Sequence, residues 1–517
     1  MPAESLPAVE ARRALWRAAL PLLVLLAVGA LLFSRALGFG LTQYDDGPLL
    51  VAHAAEVRNP AVALASFYSD AFALLGPGAR GVFYRPILWV SYLVDARIGG
   101  TSPTIYHVTN LALHLAACAL AFALLRRLGA GWRAALVLAL VLCVHPALVS
   151  VIGWIPCRND SLLALAAMAS VFALLAFLER PGISRGAVVL AGVALTMFTK
   201  ESGVALLPLL PLIARAEKGP EVLRSRSVQA LGDGVALVAL LYFALRRYAL
   251  GSFPLGAAAA LGRARETLEW LVVYVGKTFL PVQLSVQPEL ADTSLWPGLL
   301  SLGVVVALLG LFRARLSARF GWGIAWYVAF LLPALLSPKD TSGLEHRLYV
   351  PLIGLLVAVA SLRPGTWPVP RPVLTAAAIG VLALFSLQSA RRLPDFSSDL
   401  ALWSSATRSS PHSEPAWRTL AWRNLEAGHL DEAIAASQRA LALDADEARS
   451  HLILGVALAR RGDTAGAGRS LEQATRLDPG LADAWSNLAL LQQQSGDLAA
   501  SVRSRRMAEE ANARSAR

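Results

Sequence analysis

The chain has 517 residues, of which 56% are hydrophobic and only 16% are charged, and its mean hydropathy is +0.54. A soluble domain carries about a quarter charged residues, so most of this chain is expected to contact lipid. Its formal net charge of +12 comes largely from arginines and lysines in short loops between apolar runs, a pattern of membrane topology that argues against a nucleic-acid partner.

Apolar runs long enough to cross a hydrocarbon core recur along the chain. We predict eleven spans, at residues 14–37, 105–125, 134–152, 160–178, 186–199, 203–215, 230–249, 295–312, 321–337, 346–362 and 372–389. The first has no clear cleavage site before Tyr44 and is predicted to stay as an uncleaved span. An N-terminus in the cytoplasm puts the basic loops on the cytoplasmic side and the C-terminus outside.

The segment 263–284 carries charged residues, among them Arg265, Glu266, Glu269 and Lys277, and is amphipathic rather than uniformly apolar. Counting it as a span would move the basic loop at 313–319 to the outer side, against the charge rule. We therefore predict that it lies flat on the outer surface or is re-entrant.

The long outer loop, 38–104, contains two amphipathic segments. One begins at Asp46-Gly47-Pro48, where proline suits the first turn of a helix, and the other follows Tyr84-Arg85-Pro86. Both carry the features of helices that lie at a membrane surface.

The composition becomes polar and alanine-rich after Arg391-Arg392, where the membrane domain, 1–392, is predicted to end. Gly428, Gly462 and Gly496 are spaced by 34 residues, which is the tetratricopeptide period. We predict a linker at 393–412 and three repeats at 413–512 that form an α-solenoid. Such repeats bind peptides and perform no chemistry, so this one is expected to present or recruit an acceptor protein.

Ionisable residues beside membrane spans are expensive to bury and mark functional sites. In the predicted topology one group of them shares the outer face: Asp45, Asp46, Arg85, His107, Arg158, Asn159, Asp160, Lys200, Glu201, Glu345, His346 and Arg347. Carboxylates beside several cations suit a reaction in which a hydroxyl loses its proton and a phosphate departs. The cysteines at 118, 143 and 157 and the histidines show no metal-ligand spacing, so no metal site is predicted.

Several motifs occur in a fixed order: Phe83-Tyr84-Arg85-Pro86, Tyr106-His107-Val108-Thr109-Asn110, Arg158-Asn159-Asp160, Thr199-Lys200-Glu201-Ser202-Gly203 and Glu345-His346-Arg347-Leu348-Tyr349. With the acidic pair in the first outer loop and the repeats at the end, the chain resembles the GT-C class of glycosyltransferases. More closely, it resembles the transmembrane and tetratricopeptide-repeat O-mannosyltransferases.

The resemblance implies a helical GT-C membrane domain that transfers mannose or another hexose from a polyprenyl-phosphate carrier to a serine or threonine hydroxyl on the outer face. The lipid-linked sugar is a substrate, and no cofactor is implied. In that family picture Asp45 or Asp46 is the general base. Arg158, Lys200 and Arg347 hold the lipid phosphate, Glu201 and Glu345 orient those cations, and Arg85 and His107 line the groove.

Structural alternatives stand beside these roles. Asp46 could only cap a helix, Lys200-Glu201 and Glu345-Arg347 could be local ion pairs, and Arg85 and Arg158 could extend toward lipid headgroups. The deeper His114 and His145 fit hydrogen-bonded packing. The main alternative function is a non-catalytic membrane scaffold that carries the repeats in the cell envelope. A transporter is disfavoured because no interrupted spans recur at matching places in two halves.

Overall fold

The computed structural model describes residues 6–42, 46–73, 83–251, 263–313, 316–336, 343–362 and 370–515, which are helical with no β-strand. The chain divides into two compact units. The membrane unit comprises Met1–Val282 and Leu295–Ser398, and the repeat unit comprises Gln283–Ser294 and Asp399–Arg517.

The membrane unit contains sixteen α-helices within the described residues, together with short 3₁₀ turns. They are α1 (Leu6–Phe33), α2 (Ala54–Val57), α3 (Pro60–Ala65), α4 (Pro86–Gly99), α5 (Pro103–Arg127), α6 (Trp132–Val144), α7 (Ser150–Gly153), α8 (Arg158–Glu179), α9 (Ile183–Thr199), α10 (Leu206–Lys218), α11 (Arg226–Leu250), α12 (Ala264–Phe279), α13 (Trp296–Phe312), α14 (Ala318–Leu335), α15 (Tyr349–Ser361) and α16 (Arg371–Arg392).

Helices occupy each of the eleven predicted spans, but fewer are long and apolar enough to cross a membrane by themselves. Within the part of the chain that the structure describes, six meet that requirement: Ala19–Gly38, Pro103–Arg127, Ile155–Glu179, Arg226–Leu250, Ala318–Leu335 and Arg371–Phe396. Among the remaining predicted spans, α10 and α15 have only 13 residues each. The chain thus carries several helices suited to a membrane, and the total of eleven stays a prediction.

The predicted straight span at 134–152 is instead two helices, α6 and α7, which meet at an angle of 50°. The break lies at His145-Pro146, where proline has no N–H to donate and disfavours helical backbone in the residue before it. The pair would be a seventh span if it crosses as one bent unit.

Loops that the sequence assigns to the cytoplasm meet at one end of the helices. Arg319 forms an ion pair with Glu217 and donates a hydrogen bond to the carbonyl of Leu128. Arg127, at the end of α5, pairs with Glu179, at the end of α8. The first turns of α5 and α8 lie at the opposite end, with the residues of the candidate site.

The amphipathic segment 263–284 forms α12, whose second half contributes most of its buried residues. Lys277 is only 2% exposed, and Trp270 and Tyr274 are also buried. Gly276 lies against Gly298 of α13 so closely that a Cβ atom there would come within 2.7 Å of the Gly298 nitrogen. This close approach explains why both positions are glycine.

In the outer loop the first predicted segment is a π-helical turn, Pro48–Ala52, followed by the short α2 and α3. The second is α4, as predicted. Leu49, Leu50 and Val57 pack with Trp89 and Tyr92 of α4 in one apolar cluster, which also includes Tyr106 and Ile155. The loop is therefore built onto the ends of the helices that carry the site.

The repeat unit contains α17 (Asp399–Ser409), α18 (Glu414–Glu426), α19 (Leu430–Leu443), α20 (Ala448–Arg461), α21 (Thr464–Leu477), α22 (Ala482–Gln494) and α23 (Leu498–Ser515). The last six form the three predicted helix pairs. Gly462 ends α20 with φ = +96°, a left-handed conformation that favours glycine.

Two boundaries of the repeat unit differ from the prediction. The proposed linker, 393–412, contains the helix α17, whose Trp403 is buried and which packs on α18. The segment 283–294 also belongs to this unit, since Asp292 accepts a hydrogen bond from the His412 backbone at 2.9 Å. Distant segments joined in this way leave no local signal in the sequence.

The topology can be tested by cysteine labelling, because the three native cysteines are buried. We expect Ala291→Cys to react with a membrane-impermeant maleimide in intact cells, and Leu316→Cys to react only after permeabilisation. Both positions are exposed, so the difference reports the side of the membrane. The opposite labelling pattern would contradict the predicted orientation.

Candidate functional site

Predicted site residues from distant parts of the chain meet at one end of the membrane unit. They come from the start of α4, the first turn of α8, the turn between α9 and α10, and the 3₁₀ turn before α15. We call Arg85, Asp160, Lys200, Glu201, His346 and Arg347 the polar cluster.

Lys200 and Asp160 form the buried centre of the polar cluster. The Lys200 ammonium lies 2.7 and 2.9 Å from the two carboxylate oxygens of Asp160. Burial lowers the pKa of Lys200, and the Asp160 carboxylate opposes that effect. The partner is Asp160 of α8 rather than the neighbouring Glu201, so the predicted local pair of Lys200 with Glu201 is replaced by a pair between helices.

Glu201 instead binds the two residues that precede α4. Its Oε2 lies 3.1 Å from Nε of Arg85, and its Oε1 accepts a hydrogen bond from the Tyr84 backbone at 2.6 Å. The Arg85 guanidinium also lies over the Phe83 ring, 4.4 Å from its centroid. Arg85 is thus fixed within the cluster and is not a free headgroup anchor.

His346 and Arg347 complete the polar cluster from the turn before α15. Burial holds the pKa of His346 well below its usual value, and the charges of Lys200, Arg347 and Arg85 lower it further. A neutral imidazole is therefore favoured at neutral pH. Arg347 donates a hydrogen bond to the Ala334 carbonyl at 3.2 Å.

The polar cluster carries an excess of positive charge. Arg85, Lys200 and Arg347 contribute +3, and Asp160 and Glu201 contribute −2, which leaves +1 when His346 is neutral. Since the surroundings are poor in water, an anionic group bound there would interact strongly with these cations.

Arg158 is fully buried in a separate network beside the cluster. Its guanidinium pairs with Asp95 of α4 and donates to the Asn110 side chain at 2.8 Å and the Tyr106 carbonyl at 2.9 Å. The Tyr92 ring lies 5.0 Å from it. Each of the three guanidinium nitrogens therefore has a protein partner, and Arg158 joins α8 to α4 and α5. This role replaces the expectation that Arg158 holds the lipid phosphate.

Glu345 likewise has partners other than those expected. Its carboxylate accepts from Lys277 of α12 at 2.7 Å and pairs with Arg392 at the end of α16. It joins α12 and α16 to the turn that carries His346.

The acidic pair and His107 can be placed only in part. Asp45 lies outside the described residues. Asp46 is 1% exposed, and its carboxylate accepts hydrogen bonds from the Thr42 hydroxyl and, at 2.9 Å, from the Thr42 backbone N–H. This bond to an earlier residue differs from the expected helix cap. His107 is buried between the carbonyls of Gly40 and Ile152, 3.3 Å from each.

An aromatic group borders the cluster next to Arg85. The Tyr84 ring lies 6.0 Å from that of Phe198 and 5.7 Å from that of Tyr242, and the last two are 5.5 Å apart. Tyr242 belongs to α11, an apolar helix of which little is buried and which exposes Leu237, Leu240 and Leu241. The polar cluster therefore has an apolar wall that extends toward the outside of the helices.

Sequence reasoning missed several residues of this region. Asp95 interrupts the apolar sequence of α4, and Lys277 interrupts that of α12, so each offered a local signal. Nothing local identifies their partners. Arg158 is 63 residues from Asp95 in sequence, and Glu345 is 68 residues from Lys277.

Comparison with known proteins gives little information about this site. No protein-family model matches the chain, and no curated protein matches it. Among solved structures, the chain is similar to one described as "Crystal structure of MamA", with 22% identity and a TM-score of 0.22 over 28% of this chain and 86% of that chain.

Replacing Asp95 with asparagine should destabilise the membrane unit. Arg158 would keep a buried charge without its carboxylate partner, and breaking such a pair costs about 3 kcal/mol of unfolding free energy. Denaturation of the purified chain in detergent measures this loss. Glu179→Gln, which removes an exposed partner of Arg127, is the control and should leave stability unchanged. Equal stability of Asp95→Asn and the parent would contradict the positioning role of Arg158.

Proposed function

We propose that the chain is a membrane glycosyltransferase that uses a polyprenyl-phosphate sugar and transfers the sugar to a serine or threonine hydroxyl on the outer face of the membrane. The observation that carries this proposal is the polar cluster, in which residues from four segments combine three cations with two carboxylates in a net-positive site around the buried Lys200 and Asp160. Buried ionisable groups are costly beside a membrane, and their retention points to function.

The charges of the cluster fit a phosphate leaving group. As the bond between the anomeric carbon and the phosphate oxygen breaks, negative charge grows on that oxygen, and fixed cations stabilise the transition state more than the ground state. Lys200 and Arg347 are the residues assigned to this role, with Arg85 beside them. Asp160 and Glu201 hold two of these cations in place.

The carboxylate assigned as general base is Asp45. It would accept the proton of the acceptor hydroxyl while the hydroxyl oxygen attacks the anomeric carbon and the lipid phosphate leaves. Asp46, whose carboxylate is bound by Thr42, is assigned a structural role instead. This division of roles refines the resemblance, which left the two residues equivalent.

The apolar wall supports a lipid donor rather than a soluble one. Tyr84, Phe198 and Tyr242 lie beside the polar cluster, and α11 exposes apolar side chains such as Leu237, Leu240 and Leu241. A prenyl chain could lie along this helix while its phosphate stays near the cations. The repeat unit is assigned to the binding of the acceptor protein.

The function can be tested by mass spectrometry of envelope proteins from cells with and without the chain. We expect loss of hexose from serine or threonine residues in its absence. If hexose is unchanged and deletion of the repeats alone reproduces the phenotype, the chain is a scaffold and the transferase proposal is wrong.

The charge of the Lys200–Asp160 pair can be separated from its contribution to folding. The double variant Lys200→Met/Asp160→Asn keeps the site electrically balanced, and we expect transfer to peptide in reconstituted membranes to fall on the order of 100-fold because a phosphate-stabilising cation is lost. The matched control is Arg319→Met/Glu217→Gln, an ion pair at the other end of the helices. Equal activity of both double variants would remove Lys200 from the mechanism.

Single substitutions of the acidic pair test the base. Asp45→Asn should lower transfer by about 100-fold or more without changing the melting temperature, because it removes the proton acceptor alone. Asp46→Asn and Thr42→Val should each lower the melting temperature by a similar amount, because each weakens the buried contact between Thr42 and the Asp46 carboxylate. Full activity of Asp45→Asn would show that another group takes the proton.

A further inference from the structure

A second group of chemically reactive side chains lies away from the polar cluster, where α5, α6 and α15 pack together. His114 and Cys118 are one turn apart on α5, and Cys143 is near the end of α6. All three are buried, at 0 to 1% exposure, and their potential ligand atoms lie within 4.8 Å of one another.

We propose that His114, Cys118 and Cys143 bind one zinc ion. Two thiols and an imidazole are the three protein ligands of one known kind of zinc site, in which water takes the fourth position. At zinc bond lengths of about 2.3 Å to sulfur and about 2.0 Å to nitrogen, a tetrahedral site separates a sulfur and a nitrogen ligand by about 3.6 Å. Sγ of Cys118 lies 3.8 Å from Nε2 of His114, which requires almost no rearrangement.

The histidine has an outer partner of the kind typical of metal-binding histidines, because its Nδ1 lies 2.8 Å from the hydroxyl of Tyr349. Nε2 lies 3.0 Å from the Cys143 carbonyl oxygen, which can only accept, so Nε2–H donates to it and Nδ1 accepts from Tyr349. Zinc binding would break the bond to the carbonyl and move the proton to Nδ1, which would then donate to Tyr349 and leave the Nε2 lone pair for the metal.

The charge balance favours zinc over a monovalent ion. Binding releases the two thiol protons, and the +2 charge of zinc is then cancelled by two thiolates. Two of the neighbouring side chains are apolar: the Phe33 ring edge meets His114 at 5.6 Å between centroids, and Leu115 lies near Cys143. A neutral complex avoids the large cost of an isolated charge among apolar side chains.

Space for the Cys143 sulfur depends on a glycine of α1. A Cβ atom at Gly29 would lie 2.7 Å from that sulfur and 2.5 Å from Cδ2 of Leu115. The ion would join α5 to α6 and, through Tyr349, to the start of α15, two residues after Arg347. Its role would be structural and independent of the proposed transfer reaction.

The experiment uses the purified, untagged full chain in detergent, incubated with zinc chloride under reducing conditions and desalted. Metal analysis should give about one zinc per chain for the parent and for Cys157→Ser, which removes a buried cysteine outside the group. The double variant Cys118→Ser/Cys143→Ser should retain less than a tenth of that amount. Gly29→Ala, which changes no ligand, should also reduce retention.

A second measurement does not depend on the folding of any variant. Cobalt bound to the parent chain should give the near-ultraviolet charge-transfer absorption of a sulfur ligand and the intense visible bands of tetrahedral coordination. The proposal is overturned if the parent retains no zinc, if the double variant retains as much as the parent, or if cobalt shows no sulfur ligand. None of these readouts requires glycosyltransferase activity.

Discussion

The neutralisation of buried charge by partners from distant segments is the constraint on which the membrane unit depends. Arg158, Lys200 and Glu345 are each buried, and an unpaired charge at such a position would cost several kcal/mol. Their partners Asp95, Asp160 and Lys277 lie on α4, α8 and α12. Because each pair is satisfied in one arrangement of these elements, the pairs favour that arrangement over other packings of apolar helices.

The same constraint divides the charged residues into two kinds. Arg158 and Glu345 join helices and are surrounded by their partners. Lys200, Arg85 and Arg347 gather where positive charge exceeds negative charge, and His346 is held neutral beside them. The structural pairs thus hold the elements that carry the polar cluster, and loss of a positioning pair should disturb the cluster without removing any of its cations.

The proposed zinc site would act on the same elements by a different interaction. Tyr349 follows the turn that carries His346 and Arg347, and its hydroxyl lies against His114. A metal ion bound to α5 and α6 would limit movement of that turn through the contact of His114 with Tyr349. The pair of Glu345 with Lys277 joins the same turn to α12. The two devices differ in chemistry, so they can be altered separately.

The sequence by itself determined the features that depend on local periodicity. Apolar runs predicted where most of the long helices occur, and the recurrence of glycine every 34 residues predicted the three helix pairs of the repeat unit. These features follow from hydrophobic burial and backbone hydrogen bonding within a short stretch of chain. Charged residues beside apolar runs also identified many members of the polar cluster, since their cost is visible without knowledge of their partners.

Only the tertiary structure decided which charged side chains form ion pairs with each other. Lys200 could pair with the adjacent Glu201, but the fold brings Asp160 to it, and Glu345 meets Lys277, which lies 68 residues away in sequence. Cys118 and Cys143 are 25 residues apart and show no ligand spacing in sequence, yet helix packing brings both sulfurs to one histidine. Side-chain partnership depends on distances between helices, and a linear pattern does not contain those distances.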